Sequence, residues 1–191
     1  MRQTNVFRMG LLILMFSFSL GAPAQVGAGK ETSAHDANSV LAAPPAIHEE
    51  HKHLLEQLEA AIQSGGSTES AAKKVQDVLS PHFREEEAYA LPPLGLLDPL
   101  ARGQALSADQ VREAIHMADQ LRRNYSQMIH EHQEIHKALE ALASAARAEH
   151  KQDAVAFAEQ LMLHANNEEQ VLYPATLMIG KYLQLKQAAG K

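Results

Sequence analysis

Two eleven-residue stretches of the chain follow one pattern, His-x3-Glu-Glu-x4-Pro. The first runs from His82 to Pro92 and the second from His164 to Pro174. In a helix, a residue four positions after another lies only ~40° further round the cylinder and one turn along it. Each copy therefore sets an imidazole beside a carboxylate, His82 with Glu86 and His164 with Glu168. Such a pair is half of a transition-metal site. Two pairs on facing helices would supply two nitrogens and two carboxylates able to bridge a pair of ions. The second carboxylate of each copy, five positions on, lies ~140° away. Glu87 and Glu169 are thus expected to point elsewhere, with Glu85 and Glu87 on a solvated face. A π-bulge in the fourth helix would instead turn Glu169 inward.

The apolar periodicity supplies helices for these pairs to sit on. A first helix is expected over residues 46–63, ended by Gly65-Gly66, with Ile47, His51, Leu54, Leu55, Leu58 and Ile62 on one stripe. A second begins near Ser67 or Thr68 and carries Val75, Val78, Leu79, His82, Glu86 and Tyr89, with Pro81 inside it. Residues 91–106 hold three Pro, two Gly and six Leu, too apolar for a solvated loop. They read as a long apolar loop folded over one end of a bundle, a common form for a lid. Ser107 and Gln110 form a capping box for the longest helix, which reaches about residue 148 and carries His132, Ile135, His136 and Leu139. A fourth helix spans about 152–172, with a short helical tail after Pro174. Tyr125 lies two turns before His132 on the same stripe and is expected to reach the open end of the cage.

The two halves match beyond the eleven-residue stretch. Glu50-His51 opens a helix thirty-one residues before His82, and Glu131-His132 lies thirty-two residues before His164. A duplicated helical hairpin is the simplest account. The expected fold is all-α, an up-down-up-down four-helix bundle with the cage on its pseudo-twofold axis.

The remainder of the chain narrows the function. Arg2 and Arg8 precede an apolar run over residues 9–20, followed by Ala22-Pro23-Ala24, a small-x-small cleavage site. Residues 1–24 read as a secretory signal peptide, 25–45 as a flexible linker and 46–185 as the bundle. The protein is therefore expected in the periplasm or secreted, without stable membrane insertion after cleavage. No cysteine is present among 191 residues, so metal ligation must use nitrogen and oxygen. A net charge of −6 and the absence of Trp leave no basic, aromatic surface for nucleic acid.

The histidine and carboxylate positions resemble those of the hemerythrins, and within them the exported bacterial hemerythrin-like HHE cation-binding domains. The family places one His on the first helix, His-x3-Glu on the second, His or His-x3-His on the third and His-x3-Glu or His-x4-Asp on the fourth. This chain reads His51, His82/Glu86, His132/His136 and His164/Glu168. The resemblance implies two irons, carboxylate- and oxo-bridged. One would be held by His132, His136 and His164, the other by His51 and His82, with Glu86 and Glu168 bridging. Where the oxygen carriers have Asp at the fifth position after the fourth-helix His, this chain has Glu169.

A single His on an apolar stripe is ordinarily a satisfied core residue. Five His and two Glu on the inward stripes of four helices, with Arg84 and Lys137 pointing outward, would leave carboxylates buried without partners unless a His–Glu network or a metal satisfies them. The Glu-x-x-His pairs of ferritin-like bundles occur only at Glu50/His53, and His132-Gln133-Glu134-Ile135-His136 lacks the general base of a zincin. The expected function is an exported di-iron protein that binds dioxygen, nitric oxide or iron itself for sensing, storage or stress protection. Peroxide is a further candidate ligand, and no redox partner can be named. A di-iron peroxidase or nitric-oxide reductase is the alternative, and a bundle stapled by a structural metal is a third reading. A binding protein is preferred to an enzyme because no second redox motif accompanies the site.

Overall fold

The computed structural model describes residues 40–190. The leader expected at 1–24 lies outside the described residues, as does most of the expected linker. Every regular element among the described residues is helical.

Helix α1 (Pro45–Gln63) turns into α2 (Gly66–Glu85) through Ser64-Gly65. Gly65 and Gly66 hold φ of 77° and 70°, a left-handed backbone that side chains resist, so the glycine pair makes the tight reversal possible. Helix α4 (Ala108–Ala148) is the spine, 41 residues long. Its capping box is formed as expected: Ser107 Oγ accepts from Gln110 N at 3.1 Å, and Gln110 Oε1 accepts from Ser107 N at 2.9 Å. Helix α5 (Gln152–Asn167) follows after a short turn. Helix α1 packs on α2 and α5, and both of those pack on α4, so the four close on a common core.

Two stretches differ from expectation. Residues 91–106 are not an irregular loop: they contain a 3-10 turn, Pro92–Leu96, and a short helix α3, Leu97–Ala101. Pro92 and Pro93 enter the 3-10 turn where their missing N–H groups cost little, and Leu94 and Leu96 are buried beneath it. The tail after Pro174 is a 17-residue helix, α6 (Tyr173–Ala189), that packs along the N-terminal half of α4. Tyr173, Thr176, Ile179, Gly180 and Leu183 are its buried face. Gly180 permits the approach, since a Cβ there would run into the Ala118 side chain.

Because α4 extends past the bundle and α6 covers the extension, the interior divides into two apolar clusters. The first holds Leu54, Leu58, Val75, Leu79, Phe83, Ile135, Leu139, Leu142, Phe157 and Leu161. The second holds Tyr89, Leu91, Leu94, Met117, Leu121, Met128, Tyr173 and Leu183. Leu41, within the stretch read as linker, is buried in the second cluster. The buried polar residues of the next section lie near where the two clusters meet: His132 falls between Met128 and Ile135, and His164 and Glu168 fall between Leu161 and Tyr173.

Candidate metal centre

In both copies of the repeat the α-helix gives way to one π turn, at Glu86–Ala90 and at Glu168–Leu172. The Leu91 N–H bonds the Glu86 carbonyl, and in the other half the Tyr173 N–H bonds the Glu168 carbonyl. The turns start at the inward carboxylates, so each His-x3-Glu pair keeps its α-helical spacing, while whatever follows is rotated relative to a plain helix.

Six of the seven expected ligand residues come together, each at most 5% exposed: His51, His82, Glu86, His132, His164 and Glu168. They fall into two groups. His82, Glu86, His132 and Glu168 form one, and His51, His164 and Glu168 the other, with the ligand atoms of each group within 4.8 Å of one another. Glu168 is common to both. Its Oε1 lies 2.9 Å from His164 Nε2 and 3.4 Å from His51 Nε2, and its Oε2 lies 3.5 Å from His132 Nε2. Glu86 spans the groups more loosely, at 3.4 Å from His82 Nε2 and 3.8 Å from His51 Nε2. This pairing of histidines differs from the one the resemblance implied. His136, one turn beyond His132, is half-buried and lies outside both groups.

All four imidazoles turn Nε2 inward and give Nδ1 to a carboxylate behind them. His82 Nδ1 meets Glu131 at 2.8 Å, His132 Nδ1 meets Glu169 at 3.0 Å, His164 Nδ1 meets Glu50 at 3.1 Å and His51 Nδ1 meets Glu87 at 3.2 Å. The repeat relates these contacts: Glu50 corresponds to Glu131, and Glu87 to Glu169. Such a partner fixes the tautomer, orients the ring and raises the basicity of the nitrogen facing the ion. The expectation that Glu87 is solvated is thereby corrected. Glu87 reaches across to α1, where it also meets His48 at 3.3 Å, and Glu169 reaches across to α4. Each points away from the cage on its own helix and toward the neighbouring helix whose histidine it meets.

The electrostatics follow from this crowding of carboxylates. Burial lowers the His51 pKa, but Glu168, Glu87 and Glu86 outweigh it and raise the group to about 9. His82 is likewise raised to about 9, with Glu86 and Glu131 overcoming burial, and His164 is raised by Glu168 against the same opposition. Burial pushes Glu168 up, yet His132, His164 and His51 hold it well below the usual carboxylate range. The interior thus draws positive charge. Glu86 Oε2 is nevertheless buried without a hydrogen bond, and a cation bound among these atoms would satisfy it.

Tyr173 also enters the centre, a residue that sequence reasoning missed. Its hydroxyl donates a short hydrogen bond to Glu86 and lies 3.3 Å from His132 Nε2 and 3.5 Å from His82 Nε2. In a plain α-helix it would sit ~180° from His164, nine residues before it. The π turn brings it back. Tyr125 packs edge-on against the Tyr173 ring, with centroids 6.3 Å apart, so Tyr173 and not Tyr125 makes these contacts.

A helical bundle with two nitrogen-and-carboxylate ligand groups in its interior defines a metal-binding protein of the hemerythrin type. Residues 44–176 match the Hemerythrin HHE cation binding domain family, and the chain belongs to it. Searches of the curated proteins and of the solved structures return no match.

Proposed function

We propose that the protein binds two iron ions between its helices and uses them to bind a small ligand, dioxygen or nitric oxide, after export from the cytoplasm. The observation that carries this reading is the set of four inward Nε2 atoms, each backed by its own carboxylate. A hydrogen-bonded core network needs no such orientation of every ring, whereas a metal centre does. Mixed imidazole and carboxylate donors without thiolate suit iron or manganese. His82, His132 and Glu86 would hold one ion, His51 and His164 the other, and Glu168 would join them. Irons held in this way supply an exchangeable coordination position and one-electron redox chemistry.

The chain's own residues govern the surroundings. Phe83 stacks on His51 with ring centroids 3.9 Å apart and approaches His164 edge-on at 5.9 Å, giving that side an apolar wall. Such a wall excludes water and favours an uncharged diatomic molecule over an anion. Glu86, Glu168 and the four outer carboxylates keep the centre rich in negative charge, which stabilises the metals in place.

The reading is tested by anaerobic loading with ferrous iron followed by titration with nitric oxide and, separately, with dioxygen. Reversible spectral changes that saturate with ligand are expected. Steady turnover of nitric oxide or peroxide with an added reductant would instead make the protein an enzyme. Export is tested on protein recovered from its native cell, which should begin at Gln25. An intact Met1 would contradict it.

A further inference from the structure

Resting on the metal-binding reading above, we propose that Tyr173 is an additional oxygen ligand to the ion held by His82 and His132, so that the two metal positions are chemically unlike. The argument starts from the geometry of one oxygen atom. The Tyr173 hydroxyl touches Glu86, His132 and His82, three of the four residues of a single ligand group. An atom within reach of that many converging donors stands where those donors converge. The ring is fully buried and lies nearly parallel to His132, with centroids 5.6 Å apart and planes 15° apart, so the hydroxyl is held in place.

Among the described residues, the other copy of the repeat offers no counterpart. Tyr173 corresponds to Leu91 in the repeat, and the equivalent i→i+5 hydrogen bond there places an apolar side chain. The His51/His164 group therefore has three ligand residues and the wall of Phe83, against four residues and a phenol in the other group. His136, the expected third imidazole, lies outside both groups, so the phenol is the extra donor that the geometry supplies. On coordination the O–H bond breaks and its proton leaves to solvent, while the oxygen lone pair goes to the ion. The Tyr173 position is then closed, and the exchangeable position falls to the ion between His51 and His164.

Ferric iron bound by a phenolate absorbs in the visible and enhances tyrosine ring modes in resonance Raman spectra, a readout independent of any activity. The full chain is loaded with ferrous iron, oxidised in air, assayed for iron and examined by Raman. The chain has four tyrosines, Tyr89, Tyr125, Tyr173 and Tyr182. Wild type and the triple variant Tyr89→Phe/Tyr125→Phe/Tyr182→Phe should both show the phenolate modes, and Tyr173→Phe should lose them entirely. If Tyr173→Phe fails to fold, the triple variant still decides, because Tyr173 is then the only tyrosine left. Bound iron with no phenolate modes in wild type would overturn this proposal and leave the metal-binding reading standing. Failure to bind iron at all would overturn both.

Discussion

The four outer carboxylates give the account its sharpest handle, and Glu169 is the one to perturb first. Glu169→Ala removes the acceptor that lies 3.0 Å from His132 Nδ1. The Glu169 side chain is 29% exposed against 49% for Glu50, so water replaces the lost partner of His132 less readily than that of His164. Loss of such a partner typically weakens metal binding about 10–100-fold, or about 1.4–2.7 kcal/mol. Glu87→Ala should act with similar size on His51, whose Nδ1 is 3.2 Å from the carboxylate. Glu50→Ala should cost less, since the Glu50 side chain is 49% exposed and water can take its place at His164. Glu168→Ala removes a carboxylate shared by both groups and should abolish loading of the pair. Anaerobic titration with ferrous iron against a competing chelator measures all four. If Glu169→Ala and Glu87→Ala both bind iron as wild type does, the outer carboxylates do not orient these ligands and the reasoning fails.

Further outcomes follow from the rest of the structure. In metal-free protein, His51 and His82 titrate near 9 in place of the ordinary 6.5. Their stabilising contribution is complete below about 6.5 and is lost as pH rises through about 9, so thermal denaturation should show the metal-free melting temperature falling over that range. Iron loading must displace these protons, so competitive titration should find tighter binding at higher pH within the range where iron stays soluble. At the far end of the bundle, Glu149 accepts from the Ser67 and Thr68 hydroxyls and from Lys151 Nζ at 2.6–2.7 Å, where it caps the start of α2. Lys151, Thr68 and Ser67 hold its carboxyl below the usual range, so the contribution is present above the ordinary value of 4.5 and is lost as pH falls. Glu149→Gln should lower the melting temperature at neutral pH and flatten its acid dependence. Gly180→Ala forces a methyl against Ala118 and should destabilise by about 1–3 kcal/mol, read by chemical denaturation.

Much of this centre was legible because its information is local. His-x3-Glu on a helix fixes which carboxylate faces inward without knowledge of the partner helices, and the duplication supplied a second copy of the same arithmetic. Glu168 accordingly faces the cage and Glu169 does not. What could not be read is what that outward direction meets. Glu87 and Glu169 point away from the cage along their own helices but into a neighbouring helix, and only packing tells that case from solvent. The paired Glu50-His51 and Glu131-His132 were visible as a repeat, yet nothing local shows that each Glu serves the His of another helix. Tyr173 was hidden differently. It lies in the repeat itself, at the position of Leu91, but the α-helical period assigns it to the wrong face, and the π turn that re-aims it leaves no mark in the apolar pattern. Helix α6 was expected only as a short tail after Pro174, because Pro174 reads as a stop, whereas in the first turn of a helix its missing N–H is no defect.

The measurement that bears most directly on the central claim is the metal content of the reconstituted protein. Full-length chain is loaded anaerobically with ferrous iron, freed of excess metal, oxidised in air and assayed for iron per chain alongside its near-ultraviolet spectrum. The two ligand groups that share Glu168 predict two irons per chain, with the absorption of a coupled ferric pair, and none of that absorption in Glu168→Ala. A stoichiometry of one, with Glu168→Ala unchanged from wild type, would contradict a shared dinuclear centre. A chain that retains no transition metal would contradict the account altogether.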